Sequence, residues 1–254
     1  MSFLVPLALF LFGAIVASFI GVVVVRFNTG QSFFISRSEC DACTSTLSYR
    51  ELVPIFSYFA SGGRARCCGA RISVFAPVSE CLLGALFVLA YLAIGATNAL
   101  PFMLAALAAL LALVLYDLSH QILPTALLAV FVAASALTGL ALAVSISAFM
   151  SSLLTALLLA LFLAGIHVVS GGRAMGLADA PFVFGCALLV GPAALSGFVF
   201  SFWIGACIGI VLLFLRPRGS RMGVEVPFAP FLAAGFLLAY FTQWNIFTLV
   251  AGSP

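Results

Sequence analysis

The chain has 254 residues, of which 65% are hydrophobic and only 7% charged, with a formal net charge of +3 and a mean hydropathy of +1.33. A soluble core of this size cannot bury that much apolar surface, and exposing it to water would cause aggregation, so a soluble globular domain is excluded. The ten basic residues are all arginine, so their placement tells more than their sum.

The opening segment, residues 3–25, reads as a transmembrane helix. It has no basic residue ahead of it, its apolar run is too long for the core of a secretory signal, and Arg26 follows it. We therefore expect a retained first helix. A polar insert follows over residues 26–74, carrying Cys40, Cys43, Cys67 and Cys68. Beyond it, turn-forming residues divide the apolar sequence into seven further spans, approximately 75–96, 101–116, 125–143, 149–169, 180–191, 196–215 and 228–249. Each is long enough for a helix, although 180–191 is short for a full crossing and is expected to tilt or be partly re-entrant. The predicted fold class is an all-α polytopic membrane protein of about eight helices. Its divisions are a first helix at 1–25, a cysteine-containing insert at 26–74, and a seven-helix core at 75–254.

Charge placement orients this chain. Arg26, Arg37, Arg50, Arg64, Arg66 and Arg71 fall in the first connection, Arg173 in the fifth, and Arg216, Arg218 and Arg221 in the seventh. The even-numbered connections carry no charge, so the arginine bias predicts that the odd connections, insert included, face the cytoplasm. The same arginines are suited to anionic lipid headgroups, so membrane lipid is an expected partner and nucleic acid is not.

The chain has seven acids, of which Glu80, Asp117 and Asp179 lie within or against a span. Acids in that setting cost about 2.5–3.5 kcal/mol at a helix centre and usually mark function. Asp117 closes the third span and Asp179 opens the sixth, with two spans running out and back between them, so both return to one membrane face. Taken singly, Asp179 reads as a helix cap before "APFVFG", and Asp117 and Glu80 read as interfacial acids. Taken as a pair, two nearby carboxylates cannot both ionise, so one acts as base on a water while the other donates a proton to a carbonyl. The chain has only two histidines, His120 and His167, and neither a zinc-protease helix motif nor a serine nucleophile elbow. Cys81, Cys186 and Cys207 lie inside spans and read as packing residues.

Several short segments together resemble the type IV prepilin leader peptidases. "YDLSHQILP" is similar to the family's first aspartate motif, and "GLAD" to its G-x-G-D motif, followed by the Gly- and Pro-containing "FVFGCALLVGP". "ASFIGVVVVRF", "SRSECDACTSTLSYRELVPIFSYF", "CGARIS", "PVSE" and "VPFAPFLAAG" match other family segments in the family's order. The resemblance implies a bacterial inner-membrane peptidase that cuts prepilin or pseudopilin precursors after a Gly at the cytoplasmic face. Bifunctional members also methylate the new N-terminus with S-adenosylmethionine. Asp117 and Asp179 match the catalytic pair, with Gly176, Ala178 and Glu80 in supporting positions. Pairing of Glu80 with an arginine such as Arg71 would be one way to support the site.

The family's insert often carries two C-x-x-C pairs that hold zinc through four thiolates. Here Cys40 and Cys43 form one pair. Alignment of "CGARIS" makes Cys68 the last ligand and puts Ala65 where the third belongs. Cys67 is the irregular replacement, and we expect it to serve only if the loop is remodelled. Ala178 stands at the second Gly of G-x-G-D, Ala180-Pro181 replace the family's Val-Lys, and Gly21 lies near the position of a family Asn. A homologue that retains the acids without cleaving, and a proton-coupled carrier, are the alternative readings.

Overall fold

The computed structural model describes residues 3–27, 39–40, 42–48, 51–173, 175–215 and 227–244. Arg37, Asp41, Arg50, Arg216, Arg218, Arg221, Glu225 and the end of the eighth predicted span lie outside them. The chain is all-α, with helices α1 (Leu4–Arg26), α2 (Phe56–Ala60), α3 (Phe75–Ile94), α4 (Leu100–His120), α5 (Thr125–Leu142), α6 (Ile146–Ser170), α7 (Asp179–Val190), α8 (Ala194–Leu215) and α9 (Ala229–Thr242). Eight of these match the predicted spans; α2 is a short addition inside the insert. Among the described residues, six stretches are long and apolar enough to cross a membrane, and the last of them, Asp179–Val211, contains α7 and most of α8.

That stretch is interrupted for a local reason. Gly191 adopts φ +63°, which ends α7, and a single 3-10 turn over Gly191–Ala193 precedes α8. Only glycine takes that backbone conformation without a Cβ penalty. The 12 residues of α7 extend about 18 Å at the helical rise, well short of the ~30 Å hydrocarbon thickness. On its own α7 is therefore too short to cross.

The chain forms two compact units, Met1–Ala96 and Thr97–Pro254. In the first, α1 and α3 pack along their length. α1 buries Gly13, Ala14, Ala17, Ile20 and Val24, a stripe at helical spacing. It meets Leu83, Gly84, Phe87 and Ala90 of α3. Two glycines set the distance of approach: a Cβ on Gly13 would lie 2.8 Å from the Gly84 Cα, and one on Gly84 would lie 2.8 Å from the Phe10 carbonyl oxygen. In lipid, where apolar burial adds no drive between helices, such close backbone packing supplies the attraction. Gly13→Ala and Gly84→Ala should each cost about 1–3 kcal/mol, because the clash is with backbone that cannot yield. A lower thermal unfolding midpoint of the purified protein in detergent would register the loss.

In the second unit, α5 and α9 each pack against both α4 and α7. Its core gathers Met103, Leu107 and Leu113 of α4, Phe131 of α5, Phe182 and Val183 of α7, and Leu232 and Phe236 of α9. Phe131 and Phe182 meet at a ring distance of 5.6 Å. Cys186 is buried here, whereas Cys81 and Cys207 are exposed on their helices.

Candidate active site and metal centre

Asp117 lies in the last turn of α4. That helix ends because Gln121 turns left-handed, donating its N–H to the Asp117 carbonyl at 2.8 Å, and Pro124 then opens α5 in extended geometry. The Asp117 side chain is only 6% exposed, so it is not a solvated interfacial acid. Its Oδ2 accepts the N–H of Ala229, 3.2 Å away. Ala229 is the first residue of α9, and Pro230 in that first turn has no N–H to satisfy. The carboxylate thus meets the positive end of the α9 dipole. A sequence reading pairs the two aspartates but misses this partner; the prolines of "VPFAPF" are the signal that a helix starts there.

Asp179 is the first residue of α7 and is half-buried. It does not cap the helix, since Ala178 holds the cap position and no side chain caps it. Its Oδ2 instead accepts the N–H of Gly176 at 3.1 Å, closing the loop back on itself. Ala178 has φ −69° and ψ −18°, ordinary right-handed geometry, so this position does not require glycine's conformational freedom. The loop is anchored from the other side by His167, whose Nδ1–H donates to the Met175 carbonyl at 2.8 Å. His120 stacks on Tyr116 with ring centroids 4.4 Å apart. Asp117 in the last turn of α4 and Asp179 at the start of α7 belong to the same unit. Helices α5 and α9, which touch both parent helices, hold the two acids in place.

Glu80, near the start of α3, belongs to the other unit. It is 7% exposed, and its Oε2 accepts the N–H of Ile55 at 2.6 Å. No ion pair joins it to Arg71 among the described residues. The expected arginine partner is replaced by a backbone amide of the segment "LVPIFSY".

The insert contains two loops of the same construction. In the first, an isolated bridge pairs Glu39 with Thr46, the Cys40 N–H donates to the Ser45 carbonyl, and the Thr44 N–H donates to the Cys40 carbonyl. In the second, Arg64 pairs with Arg71, the Ala65 N–H donates to the Ala70 carbonyl, and the Gly69 N–H donates to the Ala65 carbonyl. Thr44 and Gly69 both have positive φ. Ala65 therefore occupies the place of Cys40, and Cys68 that of Cys43. The expectation that Cys67 would need a remodelled loop is not met. The second loop keeps the pattern of the first, yet the four Sγ atoms lie within 4.8 Å of one another.

The sulfur spacings test whether a metal fits. Four thiolates about 2.3 Å from a tetrahedral zinc lie about 3.8 Å apart. Cys40 and Cys68 are 3.7 Å apart, Cys67 and Cys68 3.8 Å, and Cys43 and Cys67 3.2 Å. The donor set therefore fits zinc with little adjustment. Hydrogen bonds from the Ser45 side chain and backbone, with a smaller contribution from Cys67, bring the Cys43 thiol down to about 6. The shift favours the thiolate, the form that binds metal.

These features define a polytopic all-α membrane protein with a small cysteine-bearing insert and a pair of acids at helix ends. Residues 11–94 match the family described as bacterial peptidase A24 N-terminal domain. A prepilin leader peptidase/N-methyltransferase of Bacillus subtilis is 31% identical over 237 residues, covering 91% of this chain and 92% of the relative. One of the same name from Myxococcus xanthus is 39% identical over 46% of this chain and 35% of its own length. An Escherichia coli relative, named a type 4 prepilin-like proteins leader peptide-processing enzyme, is 27% identical over 91% of both chains. No solved structure matches. The chain belongs to the prepilin leader peptidase/N-methyltransferase family and is a membrane peptidase.

Proposed function

We propose that the protein is an intramembrane aspartic peptidase that removes the leader of type IV prepilins or pseudopilins after a Gly, at the cytoplasmic face of the bacterial inner membrane. The observation that carries this reading is the placement of Asp117 and Asp179, two acids at helix ends within one packed unit. One carboxylate takes a proton from the attacking water while the other, protonated, donates to the scissile carbonyl oxygen. The apolar helix of the precursor lies in the bilayer and its basic leader meets the cytoplasmic side, where the arginine bias places the odd connections. Gly176 contributes its N–H to the Asp179 carboxylate, and Ala178 fits its backbone position without strain.

The relatives are named N-methyltransferases, which supports a second activity, read here as methylation of the new N-terminus with S-adenosylmethionine as donor. Zinc bound by Cys40, Cys43, Cys67 and Cys68 holds the insert together as a structural site. A carrier that relays protons through these acids predicts no change in precursor size. Co-expression of a prepilin with Asp117→Asn or Asp179→Asn tests the reading. Unprocessed precursor with both variants supports it, and cleavage at the parent rate by either one overturns it.

A further inference from the structure

His167 is one of only two histidines in the chain, and the paired-acid mechanism gives it no task. It lies half-buried in the last turn of α6. Both its backbone and its ring engage the loop that leads to Asp179. The His167 carbonyl accepts the Gly172 N–H at 2.9 Å and the Ser170 hydroxyl at 3.2 Å. Gly171 at φ +61° and Gly172 at φ +77° turn the chain back, a conformation that glycine takes without a Cβ penalty. A Cβ on Gly172 would lie 3.3 Å from His167 Cε1, so the bare backbone also leaves room for the ring.

The ring bonds one side of a peptide group whose other side bonds the acid. His167 Nδ1–H donates to the Met175 carbonyl at 2.8 Å, and the Gly176 N–H donates to Asp179 Oδ2 at 3.1 Å. That carbonyl and that N–H belong to the same planar amide. In a trans peptide the two groups point in opposite directions and turn together, because the C–N bond has partial double-bond character. Holding the carbonyl therefore aims the N–H. A carbonyl that accepts a hydrogen bond also polarises its amide and strengthens the N–H on the far side as a donor. The Asp179 N–H returns to the Gly176 carbonyl at 3.3 Å, so the acid is closed into a short turn whose entrance is the Met175–Gly176 amide. Gly176 is exposed, and with no Cβ to restrict it the peptide ahead of it turns easily unless something holds it.

We propose that His167 is a positioning residue for Asp179: acting through the Met175–Gly176 amide, it fixes the direction of the N–H that holds the carboxylate for proton exchange. The inference rests on the reading that Asp179 is one of the two catalytic acids. His167 itself touches neither the attacking water nor the scissile carbonyl in this role. A carbonyl oxygen only accepts, so the role requires a proton on Nδ1 of the ring. A packing role requires the shape of the ring and is indifferent to its nitrogens. Two substitutions separate these demands. Phenylalanine keeps the ring and loses the donor, whereas asparagine loses the ring and puts an amide N–H close to the place of Nδ1.

The test compares His167→Phe and His167→Asn with the parent, as full chains in nanodiscs cleaving a purified type IV prepilin. His167→Phe should lower kcat about 10–10²-fold, the scale of a small misplacement of a catalytic group, and leave KM little changed because substrate binding is untouched. His167→Asn should recover most of that loss. Parent-like kcat in His167→Phe, equal losses in the two variants, or a rise in KM alone overturns the proposal. A measurement on the parent needs no variant to fold: nitrogen NMR of the histidine-labelled chain should find the His167 proton on Nδ1, and a neutral ring protonated on Nε2 overturns the proposal. Cleavage by Asp179→Asn at the parent rate overturns the aspartic reading and this inference with it. An inactive Asp179→Asn beside a fully active His167→Phe overturns the inference alone.

Discussion

Asp117→Asn and Asp179→Asn, made separately, are each expected to lower prepilin cleavage by about 10²–10⁴-fold, the usual contribution of a positioned acid or base. Asparagine is the informative replacement because it keeps the shape and the acceptor oxygen. A carboxamide oxygen in place of the Asp117 Oδ2 can still accept the Ala229 N–H, now 3.2 Å away, and one in place of the Asp179 Oδ2 can still accept from Gly176 at 3.1 Å. Helix ends and loop geometry are therefore retained, and only the ability to exchange a proton is removed. A purely structural role for either acid predicts near-normal processing by the amide. Immunoblotting of precursor and mature pilin over time distinguishes the two outcomes, with unchanged elution on size exclusion as the check on folding. In the proposed mechanism each acid serves a different proton in one reaction and neither can substitute for the other, so equal, large losses are expected in both variants.

The second large effect concerns the insert. Among its described residues from 39 to 73, only Cys40 is buried, and the two loops are closed by isolated bridges. Little else is available to hold the segment. Structural zinc contributes about 10–16 kcal/mol of apparent binding free energy in small domains, more than such a segment could gain from packing. The protein purified without chelator is expected to carry one zinc per chain by elemental analysis. Chelation or Cys68→Ser should release it and expose the insert to limited proteolysis. Because Ala65 holds the place equivalent to Cys40, the double variant Ala65→Cys, Cys67→Ala restores the regular ligand spacing. It is expected to retain zinc and to resist chelator at least as well as the parent. A metal-free parent whose insert is equally resistant to protease before and after chelation would overturn the assignment.

The positions of the apolar helices and of the two aspartates were legible in the chain because they are local properties. A run of about 20 apolar residues is a helix in lipid whatever surrounds it, since its backbone must satisfy its own hydrogen bonds. Proline and glycine mark the ends, as at Pro124 and Gly191, through their own backbone limits. Asp117 and Asp179 stood out because an acid beside hydrocarbon is costly wherever it occurs. The matched segments extended that reading to a family.

What the tertiary structure decided is which distant groups meet. Asp117 bonds an amide 112 positions away in α9, and Glu80 bonds one 25 positions back in the insert. A backbone N–H carries no residue-specific signal, so neither partner could be read from side-chain types, and Arg71 was the natural but different candidate for Glu80. Pairing of α1 with α3 depends on Gly13 and Gly84, whose importance arises only once two backbones approach within contact. Division of the sequence by composition separates those helices; packing joins them in one unit. The cysteine cluster shows the same distinction. Spacing identifies Cys40, Cys43 and Cys68 and finds Ala65 out of pattern, but the direction of the Cys67 side chain is set by the fold of its loop, and that alone brings the fourth sulfur to the others.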